Sequence, residues 1–211
     1  MSFDHLDLEK SNAMLRKQSP QAIIEWALSI AKKPMMTSSF GYNSAASLHM
    51  LAQVDKSVPV VWIDSGYNVK DAYLVAEALM EKLDLNMHIY NPLMSAERRN
   101  ALLGGIPSIG DENFEEFTRQ VKLEPFERVL ADLQPDIWLT GIRRDETEHR
   151  RSLDILSIDA RGMLKVAPIF YWSDQQLDAY MAEYQLPSCK HYFDPTKVHE
   201  HRECGLHTNV A

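Results

Sequence analysis

The chain has 211 residues, 45% of them hydrophobic and 25% charged, a balance that fits one globular domain with its own core and excludes disordered and fibrous classes. Lysine and arginine number 22 against 30 acidic residues, so the net charge of −8 argues against nucleic-acid binding by the surface as a whole but leaves room for a local basic cluster. No apolar run approaches the roughly 20 residues that span a membrane, and the opening MSFDHLDLEKSNAML lacks the basic and apolar regions of a signal peptide, so a cytoplasmic location with no membrane contact is expected.

In chain order, Ser19 is placed to cap a helix that Pro20 starts, with Ile23, Ile24, Ala27, Leu28 and Ala31 on one face. PMMTSSF is a short apolar run that breaks at Gly41, followed by helical spacing at Ala45, Leu48, His49 and Leu51. VPVVWIDSGY is a second strand, NVKDAYLVAEALMEKLD a helix, and NMHIYNP a third strand. Then come a helix in SAERRNALL, a Gly/Pro loop and an acidic amphipathic segment, and KLEPFERVLADLQ is expected to begin a helix near Pro125. DIWLTGI reads as a fourth strand, MLKVAPIFYW as a fifth, and SDQQLDAYMAEYQL as a helix capped by Ser173; after Pro187 the pattern fades. Near-continuous apolar strands alternating with helices predict an α/β fold, a mostly parallel sheet with helices on both faces. Such sheets bind ligands at the C-terminal ends of their strands, which points to the loops Ser38–Asn43 and Asp64–Tyr67. No repeat, low-complexity tract or linker divides the chain, so residues 1–211 are expected to form a single domain with 188–211 as a mobile C-terminal tail.

Three segments can carry chemistry. SSFGYNS joins a strand to a helix through hydroxyls and a glycine, and N–H groups at a helix N-terminus beside serines suit phosphate or sulfate; the alternative is that the serines merely cap the helix. GIRRDETEHRR holds Arg143, Arg144, Arg150 and Arg151, whose guanidinium forks can bind a polyanion, unless Asp145, Glu146 and Glu148 neutralise them on a solvated face. In the tail, Cys204 lies between Arg202 and His207, and cationic neighbours raise the thiolate fraction of a nucleophilic cysteine while Glu203 opposes them. The spacings of His199, His201, Cys204 and His207 fit no common structural zinc pattern, and no metal is expected. Cys189 reads as incidental; two cysteines are too few for a disulfide scaffold or for a cluster held by four thiolates.

Together these segments resemble the phosphoadenylyl sulfate (PAPS) and adenylyl sulfate reductases of sulfate assimilation. The motifs stand in family order as Ser38-Ser39-Phe40-Gly41, Asp64-Ser65-Gly66-Tyr67, Lys122-Leu123-Glu124-Pro125, Gly141-Ile142-Arg143-Arg144 and Arg202-Glu203-Cys204-Gly205-Leu206-His207. The resemblance implies an adenine nucleotide alpha hydrolase-like fold, with Ser38, Ser39, Phe40, Gly41, Asp64, Gly66, Tyr67, Lys122, Arg143, Arg144 and Arg150 as substrate-binding residues. It further implies that Cys204 attacks the activated sulfate to form an S-sulfocysteine, with His207 and Arg202 assisting. Thioredoxin or glutaredoxin is the implied external reductant, PAPS the substrate and a homodimer the assembly. Family members with an iron–sulfur cluster carry paired cysteines that this chain lacks, so the cluster-free type, with no bound cofactor, is implied. The compact LPSCKHYFDPTKVHEH also replaces a longer segment containing GYxSIGD-like residues. Two readings compete: an ATP pyrophosphatase-type adenylating enzyme, although its SGGxDS loop is absent, and an inactive nucleotide-binding or redox-sensing module.

Overall fold

The computed structural model describes residue 3 and residues 5–189 and 191–197. The helices are α1 (Leu8–Leu15), α2 (Pro20–Ile30), α3 (Ser44–Val54), α4 (Lys70–Leu83), α5 (Ala96–Leu103), α6 (Phe114–Thr118), α7 (Glu124–Leu133) and α8 (Asp174–Glu183). The strands are β1 (Pro34–Thr37), β2 (Val60–Ile63), β3 (Met87–Tyr90), β4 (Ile137–Leu139), β5 (Leu156–Ile158) and β6 (Leu164–Val166). They form one sheet in the order β3-β2-β1-β4-β6-β5, parallel throughout except for β5, which runs antiparallel to β6.

Both faces of the sheet are covered, as the apolar runs require. Successive residues point to opposite sides: Met36, Val60, Ile137 and Leu139 enter the larger core with residues of α2, α3, α4 and α8, whereas Met35, Val61 and Trp138 enter a smaller core with Phe126 and Val129 of α7. The Ser19 hydroxyl accepts the Ala22 N–H at the start of α2, and Ser173 caps α8 through a reciprocal box with Gln176.

The structure corrects the expected strand count and adds two features that the sequence does not announce. First, there are six strands rather than five, since β5 lies between the arginine loop and β6. It is three residues long and interrupted by Ser157, too short and too polar to give an apolar run. Second, its backbone is completed from 144 residues away: Asn12 of α1 accepts the Leu156 N–H at 2.8 Å and donates to the Leu156 carbonyl at 3.1 Å, in place of a neighbouring strand. Third, the helix expected near Pro125 is α7, which starts at Glu124 with Pro125 in its first turn, but it is not a separate rod: the chain is helical from Phe114 to Leu133 through a π-turn, Arg119–Leu123, where the Glu124 N–H bonds to the Arg119 carbonyl.

Candidate active site

The order of the strands reverses at β1: the chain moves to β2 and β3 on one side and to β4, β6 and β5 on the other. Such a switch point opens a crevice beyond the C-terminal ends of the strands. A cavity of about 410 Å³ lies there, lined by the segments that follow β1, β2 and β4, by the π-turn and by residues 192–197.

The segment after β1 is bent by Phe40. The Ser38 N–H continues the ladder to the Val61 carbonyl at 2.9 Å, and its hydroxyl accepts the Phe40 N–H at 3.2 Å. Phe40 takes a left-handed φ of 52° that side chains rarely adopt, and its buried ring meets Trp62 edge-on with centroids 4.8 Å apart. The ring is thus an anchor in the core, and it leaves Ser38, Ser39 and Gly41 on the cavity wall. A Cβ on Gly41 would stand 3.2 Å from Cγ of Tyr192, a tight contact that would push the Tyr192 ring back by a few tenths of an ångström, so the close approach of the two segments favours glycine. The serines do not cap α3. Its N-cap is Asn43, which makes no side-chain cap and donates instead to Glu146, leaving the helix start without a side-chain acceptor.

After β4, Thr140, Gly141, Ile142 and Arg143 line the cavity, followed by Glu146, Thr147 and Arg150. Glu146 is the hub of this loop: it pairs with Arg150, lies 3.6 Å from Arg143 Nε and accepts the Arg143 N–H at 3.2 Å. Arg143 also reaches Asp174 at 2.7 Å, which ties the loop to the start of α8. From the opposite wall Lys122 pairs with Asp194, itself held by the N–H and hydroxyl of Thr196 at 3.0 and 2.7 Å. Burial alone pushes the Asp194 carboxyl up, but the Lys122 ammonium and the hydrogen bonds from Lys122 and Thr196 outweigh it and hold the group below the usual carboxylate range. Lys122, Arg143, Arg150 and Lys197 face Glu146 and Asp194 across the cavity, so the charged lining is net positive despite an acidic chain.

Of the residues expected to bind substrate, Ser38, Ser39, Gly41, Lys122, Arg143 and Arg150 line the cavity, whereas Phe40, Asp64, Gly66, Tyr67 and Arg144 do not. Asp64 organises the loop after β2: its Oδ1 accepts from the Gly66 N–H, Asn68 and Tyr73 at 3.0, 2.9 and 2.7 Å, and Ser65 and Asn68 supply the lining instead. Burial first, and the bond to Asp64 second, push the Tyr73 hydroxyl up to about 12. Tyr67 donates to Asn100 at 2.9 Å and packs on Phe117, while Arg144 pairs with Asp145 and lies over the Tyr171 ring. Cys189 is buried and outside the lining. Cys204, His207 and Arg202 lie outside the described residues. Sequence reasoning missed Asn43, Thr140, Glu146 as an ion-pair hub, Tyr192 and Asp194. A strand-end position could have flagged Thr140, but no periodicity marks Asp194.

Three lining residues carry a buried polar atom with no hydrogen bond, Asn43 Oδ1, Thr140 Oγ1 and Arg143 Nε, although buried polar atoms are almost always paired. An open cavity with a net cationic lining and a helix start without a side-chain cap is suited to an anionic ligand.

Comparison with known proteins agrees with this arrangement. A protein of Synechococcus sp. named phosphoadenosine 5′-phosphosulfate reductase is 35% identical over 182 residues, covering 85% of this chain and 78% of that one. Another of that name from Citrobacter koseri is 34% identical over 180 residues, covering 85% and 73%. The crystal structure of the phosphoadenylyl-sulfate (PAPS) reductase of Candida auris, a phosphate complex, matches with a TM-score of 0.76 at 25% identity, covering 89% of each chain. The FMN adenylyltransferase of Candida glabrata shares the fold alone, with a TM-score of 0.58 at 13% identity over 82% of this chain and 55% of that one. The sequence model of the phosphoadenosine phosphosulfate reductase domain matches residues 33–195, from the residue before β1 to the cavity wall beside Asp194. Because that match takes in every strand and nearly all of the cavity lining, the chain belongs to the phosphoadenosine phosphosulfate reductase domain family.

Proposed function

We propose that the protein reduces 3′-phosphoadenylyl sulfate to sulfite with a thiol reductant, as a single domain whose C-terminal segment carries the nucleophile. The thiolate of Cys204 attacks the sulfate sulfur, an S–S bond forms, and the bond from sulfur to the phosphate oxygen breaks. Adenosine 3′,5′-bisphosphate leaves with that electron pair, and Cys204 becomes S-sulfocysteine. A thiolate of reduced thioredoxin or glutaredoxin then attacks Cys204 Sγ and releases sulfite with the S–S electron pair. The second thiol of the reductant closes its disulfide and returns Cys204 as a thiolate. No resident cofactor enters this sequence, and the chain's two cysteines could not furnish a four-thiolate cluster.

In this reading Ser38, Ser39, Gly41 and the start of α3 hold the sulfate and phosphate end of the nucleotide, and Lys122, Arg143 and Arg150 neutralise its charge. Asp64, Gly66 and Tyr67 shape the loop that presents Ser65 and Asn68, Phe40 fixes the first loop from behind, and Arg144 flanks the arginine loop on its outer side. His207 and Arg202 stabilise the charge that develops as the sulfur–oxygen bond breaks. A homodimer is the proposed assembly and the cytoplasm the proposed location; among the described residues no helix is long and apolar enough to cross a membrane.

The observation that carries the reading is the position of Lys197 on the wall of a cationic cavity, seven residues before Cys204. An extended segment of that length spans at most about 25 Å, ample for a thiol to close over a nucleotide in the cavity. The test is sulfite release from 3′-phosphoadenylyl sulfate with reduced thioredoxin, run beside adenylyl sulfate and ATP. Sulfite from the 3′-phosphorylated nucleotide, abolished by Cys204→Ser, is the expected result. Pyrophosphate release from ATP without sulfite would overturn it.

A further inference from the structure

We propose that Arg99, which lies outside the cavity, is a positioning residue: through Gln120 it holds the π-turn that aims Lys122 at the ligand. This rests on the function proposed above and assigns a role to a side chain that touches no substrate.

Arg99 is 1% exposed and is the one buried residue of α5. It makes no ion pair among the described residues, and its Nε has no hydrogen-bond partner. Its contacts are a hydrogen bond from Nη1 to the Gln120 side-chain oxygen and the face of Phe117, 5.8 Å from the ring centroid, and its charge also acts on the Glu116 carboxylate, which Gln120 joins to it. Burying a guanidinium without a directly paired carboxylate is costly, and a long apolar side chain would fill the same space at less expense. Packing therefore does not account for an arginine here. The hydrogen bond to Gln120 does.

Gln120 lies within the π-turn Arg119–Leu123. Its amide bridges two helical segments, accepting from Arg99 of α5 while donating to Glu116 of α6. The bridge spans the point where the regular ladder breaks. Along this ridge the buried residues are Phe114, Phe117, Val121, Pro125, Phe126 and Val129. Across the π-turn Phe126 belongs to the smaller core under the sheet while Val121 and Lys122 both line the cavity. A π-turn is a strained, rare form that relaxes to α-helix unless something holds it, and relaxation would rotate Lys122 relative to Phe126. Arg99 and Glu116, gripping Gln120 from two sides, are the restraint that the structure supplies.

The test is a double-mutant cycle read by KM and kcat for 3′-phosphoadenylyl sulfate and, separately, by the Kd of adenosine 3′,5′-bisphosphate from calorimetry. Arg99→Met and Gln120→Ala are each expected to raise KM and Kd by about tenfold with kcat little changed, because Lys122 binds nucleotide and is not itself consumed. Arg99→Lys, which keeps a donor for Gln120, should retain near-native values. In a Lys122→Ala background, Arg99→Met and Gln120→Ala should cause no further loss. Gln120→Ala leaves the α5 core intact, so the cycle is readable even if Arg99→Met does not fold. Losses that multiply with Lys122→Ala, or a fall in thermal stability with unchanged Kd, would overturn the inference. A wild-type protein that binds the bisphosphate but releases no sulfite would count against the catalytic reading alone, while the binding cycle still judges Arg99.

Discussion

The ammonium of Lys122 is paired with the carboxylate of Asp194 at the cavity wall, with the two side chains 14% and 5% exposed, and the pair joins the helical ridge to residues 192–197. In an anion site this carboxylate competes with the ligand for the lysine. Asp194→Asn is therefore expected to tighten binding of adenosine 3′,5′-bisphosphate by about tenfold, as Lys122 loses its carboxylate competitor, while costing about 1–3 kcal/mol of stability at neutral pH. Calorimetry and denaturant titration read the two opposite signs; weaker nucleotide binding would contradict the competition.

The pH dependence of that pair has a definite sign. Asp194 is held below its usual range in the folded protein, so it contributes stability above the unfolded carboxylate value of about 3.9 and loses it as pH falls through that value toward the folded one. Acid unfolding of Asp194→Asn should start from lower stability and fall less steeply below about pH 4 than in the wild type.

Thr140 separates binding from folding. Its hydroxyl oxygen is buried without a hydrogen-bond partner in a residue that lines the cavity, so Thr140→Val removes an unsatisfied group while keeping the shape. Stability should be unchanged or slightly higher, and nucleotide affinity should fall by roughly threefold to tenfold if the hydroxyl bonds to the ligand. Unchanged affinity would remove Thr140 from the site.

Phe40 makes the converse case, a residue of the first loop that acts through the core. Phe40→Ala is expected to cost about 3–5 kcal/mol, read by urea denaturation, because the ring is fully buried against Trp62. A cost below about 1 kcal/mol would show that the loop is held in another way.

His49 gives a stability signature remote from the cavity. Its Nδ1 lies 2.8 Å from the Tyr180 hydroxyl, and burial, with a smaller contribution from Lys82, pushes the ring's pKa down. A base depressed in the folded state contributes stability fully above its unfolded value of about 6.5 and loses it as pH falls through that value toward the folded one. His49→Gln should flatten the stability profile between about pH 5 and 7.

What the sequence made legible is what local chemistry dictates. The runs at β1, β2, β3 and β4, the Ser19 and Ser173 caps, and the loops at the strand ends follow from hydrophobic period and turn residues. Distant pairings were not legible. β5 exists because β6 and Asn12 satisfy its backbone, and nothing within Leu156–Ile158 announces either partner. The serine-rich loop could be placed, but whether Phe40 or its neighbours faced the ligand depended on a left-handed φ. In the arginine loop, the pairing of Arg150 with Glu146 and the outward turn of Arg144 onto Tyr171 depend on side-chain directions that spacing does not set. The π-turn is invisible for a related reason: the sequence there is ordinary helix, and its wide turn is fixed by contacts from α5.

The most direct measurement is mass spectrometry of the protein incubated with 3′-phosphoadenylyl sulfate in the absence of any reductant. The account predicts one added SO3 group on the peptide containing Cys204, discharged as sulfite when reduced thioredoxin is added and absent in Cys204→Ser. Sulfite formation with no such adduct, or undiminished turnover by Cys204→Ser, would contradict it.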